Sequence, residues 1–212
     1  MKTKLIQLAC GLALLAATAT VSAAQNLYVG NGNNGSIFEI TPGGAITSFA
    51  SGLGSTSALA FDSAGNLFAG SDATGNISKI TTSGTVTTFA TGFSNPSGLA
   101  FDGSGNLFVA DNNNYTISKI TPDGTVTLFA SVPEGPWGLA FNSSGDLFAS
   151  TFASNTVDKI TTGGVVSTFA TGVSFDMGLA FDVSGDLFAG DYLGNTVSKI
   201  TPVVRSPPSQ PI

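Results

Sequence analysis

Short apolar runs, each broken by Gly, Asn, Asp or Pro, recur along the chain at a fixed interval. Leu-Ala-Phe falls at Leu59–Phe61, Leu99–Phe101, Leu139–Phe141 and Leu179–Phe181. Leu-Phe begins at Leu67, Leu107, Leu147 and Leu187, and Phe-Ala at Phe49, Phe89, Phe129 and Phe169. The interval is forty residues throughout, without insertion or deletion. A period of this size marks stacked or radially arranged units. In the unit from Gly98 to Ala130, the runs Gly98–Asp102, Asn106–Asp111, Thr116–Ile120 and Thr125–Ala130 are separated by Gly103–Gly105, Asn112–Asn114 and Thr121–Gly124. The runs are rich in Val, Ile, Phe and Thr, and none sustains a helical period. They read as four antiparallel strands.

Four strands per forty-residue unit, repeated in series, predict an all-β chain: a β-propeller of four-stranded antiparallel blades, with about five blades present. A β-solenoid coil takes fewer residues per turn, and a sandwich would not keep a strict four-strand repeat. Three Phe side chains per unit suit blades that pack on both faces. The blades are expected at about 25–50, 58–90, 98–130, 138–170 and 178–202. The first run of each unit lines the central channel and the fourth lies outermost. Asp102–Asn106 and Asp123-Gly124 then close hairpins on the bottom face, while Asn112–Tyr115 and the stretch between Ala130 and Gly138 lie on top.

Pro96–Asp102, Gly105–Asp111 and Ile117–Gly124 together resemble an NHL repeat, whose wider group includes six-bladed gluconolactonase-like and streptogramin-lyase-like propellers. The resemblance covers Gln25 to about Pro202. It implies six blades, so the expectation is an incomplete six-bladed ring, with closure as a five-bladed ring the competing outcome. The first unit has three runs, from Asn26, and the fifth stops after Thr196–Ile200. Residues 203–212 form an irregular, proline-rich tail. The codons for Val203–Pro211, regrouped one base earlier, can encode Gly, Gly, a small residue, Val, Ser, Thr, Phe, Ala and Thr. That matches Gly163–Thr171 in eight of nine columns. The hypothesis is a frameshifted fourth strand; a gene that does not encode the strand one base away would end it.

Lys2 and Lys4, the apolar stretch Leu5–Ala17 and the small residues Val21–Ala24 read as a signal peptide over 1–24, so a secreted or periplasmic location is expected. Cys10 lies inside that stretch, and the rest of the chain has no cysteine. Its stability must then come from core packing rather than disulfides. Beyond residue 24 the cations are Lys79, Lys119, Lys159, Lys199 and Arg205, against 13 carboxylates. This balance argues against nucleic acid and against an anionic membrane. A monomer is expected unless open edges associate.

The chain has no histidine, which excludes Ser/His/Asp hydrolysis, imidazole base catalysis and His-ligated zinc. Streptogramin-lyase-like chemistry depends on histidines, and none is present to carry it. The gluconolactonase-like resemblance implies a carboxylate and amide cluster around a divalent ion at the channel mouth. Glu134 and Asp176 are the candidates for such a site, with Ca2+ the candidate ion. Asp62, Asp102, Asn142 and Asp182 open the bottom hairpins, where Asx-turn capping explains them better than calcium ligation. Lys79, Lys119, Lys159 and Lys199 share a column with Glu39 and are expected to lay their stems on apolar surface or to pair with carboxylates. Asn34, Asn76, Asn114 and Asn142 head Asn-x-Ser/Thr sequons.

The repeats differ most in Gly52–Ser57, Gly92–Ser97, Val132–Trp137 and Gly172–Met177. Binding residues sit on such loops. The candidate ligand residues are Glu134, Trp137, Phe175, Asp176 and Met177, with Asp111, Tyr115, Asp191 and Tyr192 beside them on the top face. An aromatic wall with carboxylates suits a sugar, a peptide or a cation. The expected function is an exported, non-enzymatic binding scaffold, without a cofactor, for a small molecule, a glycan or a protein. The alternatives are a metal-dependent lactonase or esterase and a truncated fragment without a function of its own.

Overall fold

The computed structural model describes residues 25–151, 153–173, 176–191 and 194–200, with backbone alone at 176 and 177. The expected signal peptide and tail, Phe175 and Tyr192 lie outside the described residues. Blade 1 comprises β1 (Leu27–Gly30), β2 (Ile37–Ile40) and β3 (Ile46–Ala50). Blade 2 comprises β4 (Thr56–Phe61), β5 (Leu67–Ser71), β6 (Asn76–Ile80) and β7 (Val86–Ala90). Blade 3 comprises β8 (Pro96–Phe101), β9 (Leu107–Asp111), β10 (Thr116–Ile120) and β11 (Val126–Ser131). Blade 4 comprises β12 (Pro136–Phe141), β13 (Leu147–Thr151), β14 (Thr156–Ile160) and β15 (Val166–Thr171). Blade 5 comprises β16 (Asp176–Phe181), β17 (Leu187–Asp191) and β18 (Thr196–Ile200).

Each blade is an antiparallel meander, and the inner strands β4, β8, β12 and β16 adjoin one another in that order, with β1 beside β4. The arrangement is the five-bladed β-propeller that the repeat predicts. Among the described residues there is no helix long and apolar enough to cross a membrane.

One aromatic motif joins blade to blade. Phe108 on β9 sits edge-on between Phe129 of its own outer strand, at 4.8 Å, and Phe141 of the next inner strand, at 5.0 Å. Phe68 and Phe148 repeat the contact at 4.9–5.0 Å, and Tyr28 plays their part in blade 1. Such pairs add about 0.5–1.5 kcal/mol each beyond the area they bury. A backbone irregularity makes them possible. Ile117 pairs with Ala130 and Ser118 with Leu128, so Phe129 is the extra residue of a β-bulge. Phe49, Phe89 and Phe169 occupy the same position in their blades. Strict alternation would turn either Phe129 or Ala130 outward; the bulge lets both face the core.

Candidate functional site

A second bulge governs the tops of the inner strands, where the repeats diverge. Ser57, Ser97 and Met177 each fall between two paired residues. In blade 4, Pro136 pairs with Thr151 and Leu139 with Ala149, so Trp137 and Gly138 together face Ser150. The Ser150 hydroxyl accepts the Gly138 N–H at 2.9 Å. Bulges re-aim side chains beside functional sites. Here Ser57 donates to the Pro96 carbonyl at 2.7 Å and Ser97 to the Pro136 carbonyl at 2.8 Å, each reaching the next blade. In blade 4 the half-buried Trp137 stands in the serine's place. Gly98 is required beside it, because a Cβ there would lie 2.0 Å from the Trp137 carbonyl oxygen.

The loop before Trp137 is held from blade 3. Val132 donates its N–H to the Tyr115 carbonyl at 2.9 Å, and the Asn112 amide donates to the Pro136 carbonyl at 3.2 Å. A Cβ on Gly135 would lie 2.6 Å from Asn112 Nδ2. Tyr115 tops the same seam with a left-handed φ of 56° and is 54% exposed.

Asp111 is tied into the scaffold. It is buried, and its carboxylate accepts the backbone N–H groups of Ser94 and Asn95 at 3.1 Å and the Asn114 amide at 2.8 Å. The structure therefore uses it to fasten the preceding loop. Asp191 ends β17 opposite Asp176 and accepts the Gly194 N–H at 2.7 Å. Met177 is placed on its bulge by the backbone.

Glu134 is half-buried, and its Oε2 is shut off from solvent without a hydrogen-bond partner. A second carboxylate, absent from the sequence-derived candidates, shares this condition. Asp158 on β14 is 2% exposed, and its Oδ2 likewise has no partner. Burial pushes its carboxyl above the ordinary carboxylate range; a hydrogen bond from Thr168 opposes the rise and the charge of Glu134 adds to it. The available signal was a lone Asp in a column held by Ser78, Ser118 and Ser198 in three other units and by Phe38 in the first. Among the described residues no three His, Cys, Asp or Glu side chains gather, and the side chain of Asp176, the expected partner of Glu134, lies outside the described residues.

The bottom face is self-contained. Asp62, Asp102, Asn142 and Asp182 each accept backbone N–H groups two and four residues on. For Asp102, burial acts to raise the pKa, but the Asn106 and Ser104 donors outweigh it and leave the carboxyl below its ordinary value. The lysine column divides with its neighbours. Lys79 and Lys119 lie 5.6 and 5.9 Å from the ring centroids of Phe68 and Phe108, where the hairpins close with Asn66 and Asn106. Lys159 and Lys199 pair at 2.7 Å with Asp146 and Asp186, which replace those asparagines. Glu39, in the same column, accepts the Tyr28 hydroxyl at 2.6 Å; burial, with help from Glu39, pushes that phenol up to about 12.

Comparison with known proteins gives the same fold. Virginiamycin B lyase from Staphylococcus aureus superposes with a TM-score of 0.70 at 22% identity, over 86% of this chain and 65% of that one. A catalytically inactive histidine-to-alanine variant of that lyase, with quinupristin, matches at a TM-score of 0.65 and 21% identity, over 84% of this chain and 70% of that one. A nidogen/laminin complex matches at 0.75 and 23%, over 84% and 72% of the two chains. A putative gluconolactonase matches at 0.69 and 19%, over 80% and 67%. The chain thus spans about two thirds of the lyase's length. No curated protein gives a significant match. The model of the virginiamycin B lyase family matches residues 13–205, and the chain belongs to that family.

Proposed function

We propose that this propeller is a non-enzymatic binding scaffold, exported to the periplasm or the outside, that takes a small molecule, a glycan or a protein segment on the top of blades 3 to 5. The observation that carries the reading is the exchange at the inner-strand bulge: a serine tying blade to blade in blades 2 and 3 becomes Trp137, three residues from Glu134 and across the seam from the exposed Tyr115. An aromatic face, a carboxylate and an exposed phenol in a loop held by backbone hydrogen bonds make a recognition surface with little ordering to do on binding. The missing histidine supports a role other than lyase chemistry, since the Staphylococcus aureus lyase is catalytically inactive as a histidine-to-alanine variant. The laminin complex of one fold relative is consistent with a protein as the bound partner. The test is a glycan, peptide and small-molecule screen by Trp137 fluorescence and thermal shift, on the full chain and on Glu134→Ala/Trp137→Ala/Asp176→Ala. A ligand whose binding survives the triple change would remove this site. Turnover of lactones that requires a divalent ion would replace the reading with a lactonase.

A further inference from the structure

We propose that Glu134 and Asp158 together hold a divalent cation of the calcium class in the seam between blades 3 and 4, two strands out from the channel. Asp158 lies opposite Ala149 across β13 and β14, so the two share a face of blade 4. Ala149 packs in one cluster with Phe108 and Val132 of blade 3, which makes this the face turned toward blade 3. Glu134 follows Val132 by two residues, on the loop that crosses the top of the same seam. Both side chains carry an oxygen withdrawn from water and without a hydrogen-bond partner. Buried carboxylates are normally paired or bound to metals.

The lysines near this seam are engaged elsewhere. Blade 3 turns Lys119 toward it, but the ammonium lies over the Phe108 ring and acts on Asp102 at the bottom. Lys159 shares the opposite face of blade 4 with Phe148 and pairs with Asp146. Two hard, anionic oxygens without a protein cation are what calcium takes, its remaining ligands being carbonyl oxygens and waters in an adaptable geometry; magnesium demands a stricter octahedron. The sister repeats, with Ser78 and Ser118 at the Asp158 position, lack the second carboxylate. The site shares Glu134 with the ligand reading, but Asp158 belongs to β14 and not to the top loops, so Asp158→Ser tests the cation without touching the proposed ligand surface.

The experiment is thermal unfolding of the full chain after chelation, with calcium, magnesium or neither, on the wild type, Asp158→Ser and Glu134→Gln. Asp158→Ser restores the residue of the sister blades and is expected to fold. Calcium should raise the wild-type Tm by about 5 °C in a saturable way and shift the Trp137 emission. Both variants should lose the response. A wild-type Tm that calcium leaves unmoved overturns the proposal, as does an equal response in Asp158→Ser. A seam satisfied by a proton alone would show itself as a Tm that rises on acidification and ignores calcium.

Discussion

The two ends of blade 4 treat their polar groups in opposite ways. At the bottom, Asn142 accepts the N–H groups of Ser144 and Asp146 at 3.0 and 2.9 Å, and Asp146 is answered by Lys159. Both charges there are paired within the same blade. At the top, Trp137 displaces the serine that ties earlier blades together, and Glu134 and Asp158 keep buried oxygens without partners. A hairpin satisfied locally can be copied from blade to blade without cost. A seam that leaves acceptors open needs something from outside the chain, and the departure from the repeat is concentrated there.

The largest expected effect falls on the frame that both ends share. Phe148→Ala removes the ring held between Phe169 and Phe181 and should cost about 3–5 kcal/mol, read by urea unfolding. A loss under about 1 kcal/mol would mean that the aromatic chain is not what couples the blades.

Next is Trp137→Ser, which rebuilds at blade 4 the residue that clasps blades 2 and 3. Affinity for any top-face ligand should fall by about 2 kcal/mol or more while stability stays within about 1 kcal/mol. Equal losses of both would place Trp137 in the core rather than the site.

Asn142→Ala should do the reverse, leaving two backbone N–H groups without their acceptor at about 1–2 kcal/mol of stability, with ligand affinity unchanged. A change in affinity would show that the ends are coupled.

The smallest effect concerns pH. The Lys159 ammonium holds Asp146 below its ordinary carboxylate value of 3.8. A depressed folded-state pKa contributes stability that is present above 3.8 and lost as pH falls through the folded value. Asp146→Asn should flatten that part of the acid limb by about 0.5–1 kcal/mol, the scale of a partly exposed pair. An unchanged limb would show that the pair contributes nothing.

The strand pattern, the blade count and the bottom caps were legible because each rests on local chemistry. Leu-Phe runs, Asx turns and glycine punctuation act within one forty-residue unit, and the repetition of Asp62, Asp102, Asn142 and Asp182 states their role four times. The top was legible as a place of variation but not in its roles. Asp111, a candidate ligand group in the sequence, also fastens the Ser94–Asn95 loop, a contact across sixteen or seventeen residues that no local pattern announces.

What the sequence by itself determined is the propeller: one period, four strands per unit and apolar residues on both faces of each sheet. What only the tertiary structure decided is which side chains meet between blades. Two bulges per complete blade change the alternation by one residue, bringing Phe129 inward and setting Ser57 and Ser97 against the neighbouring strand. The packing of blade 4 on blade 3 then brings Asp158 and Glu134, from different strands and loops, into one seam. Pairing along the chain is a property of neighbours in sequence, whereas burial of a charge is set by what the next blade covers.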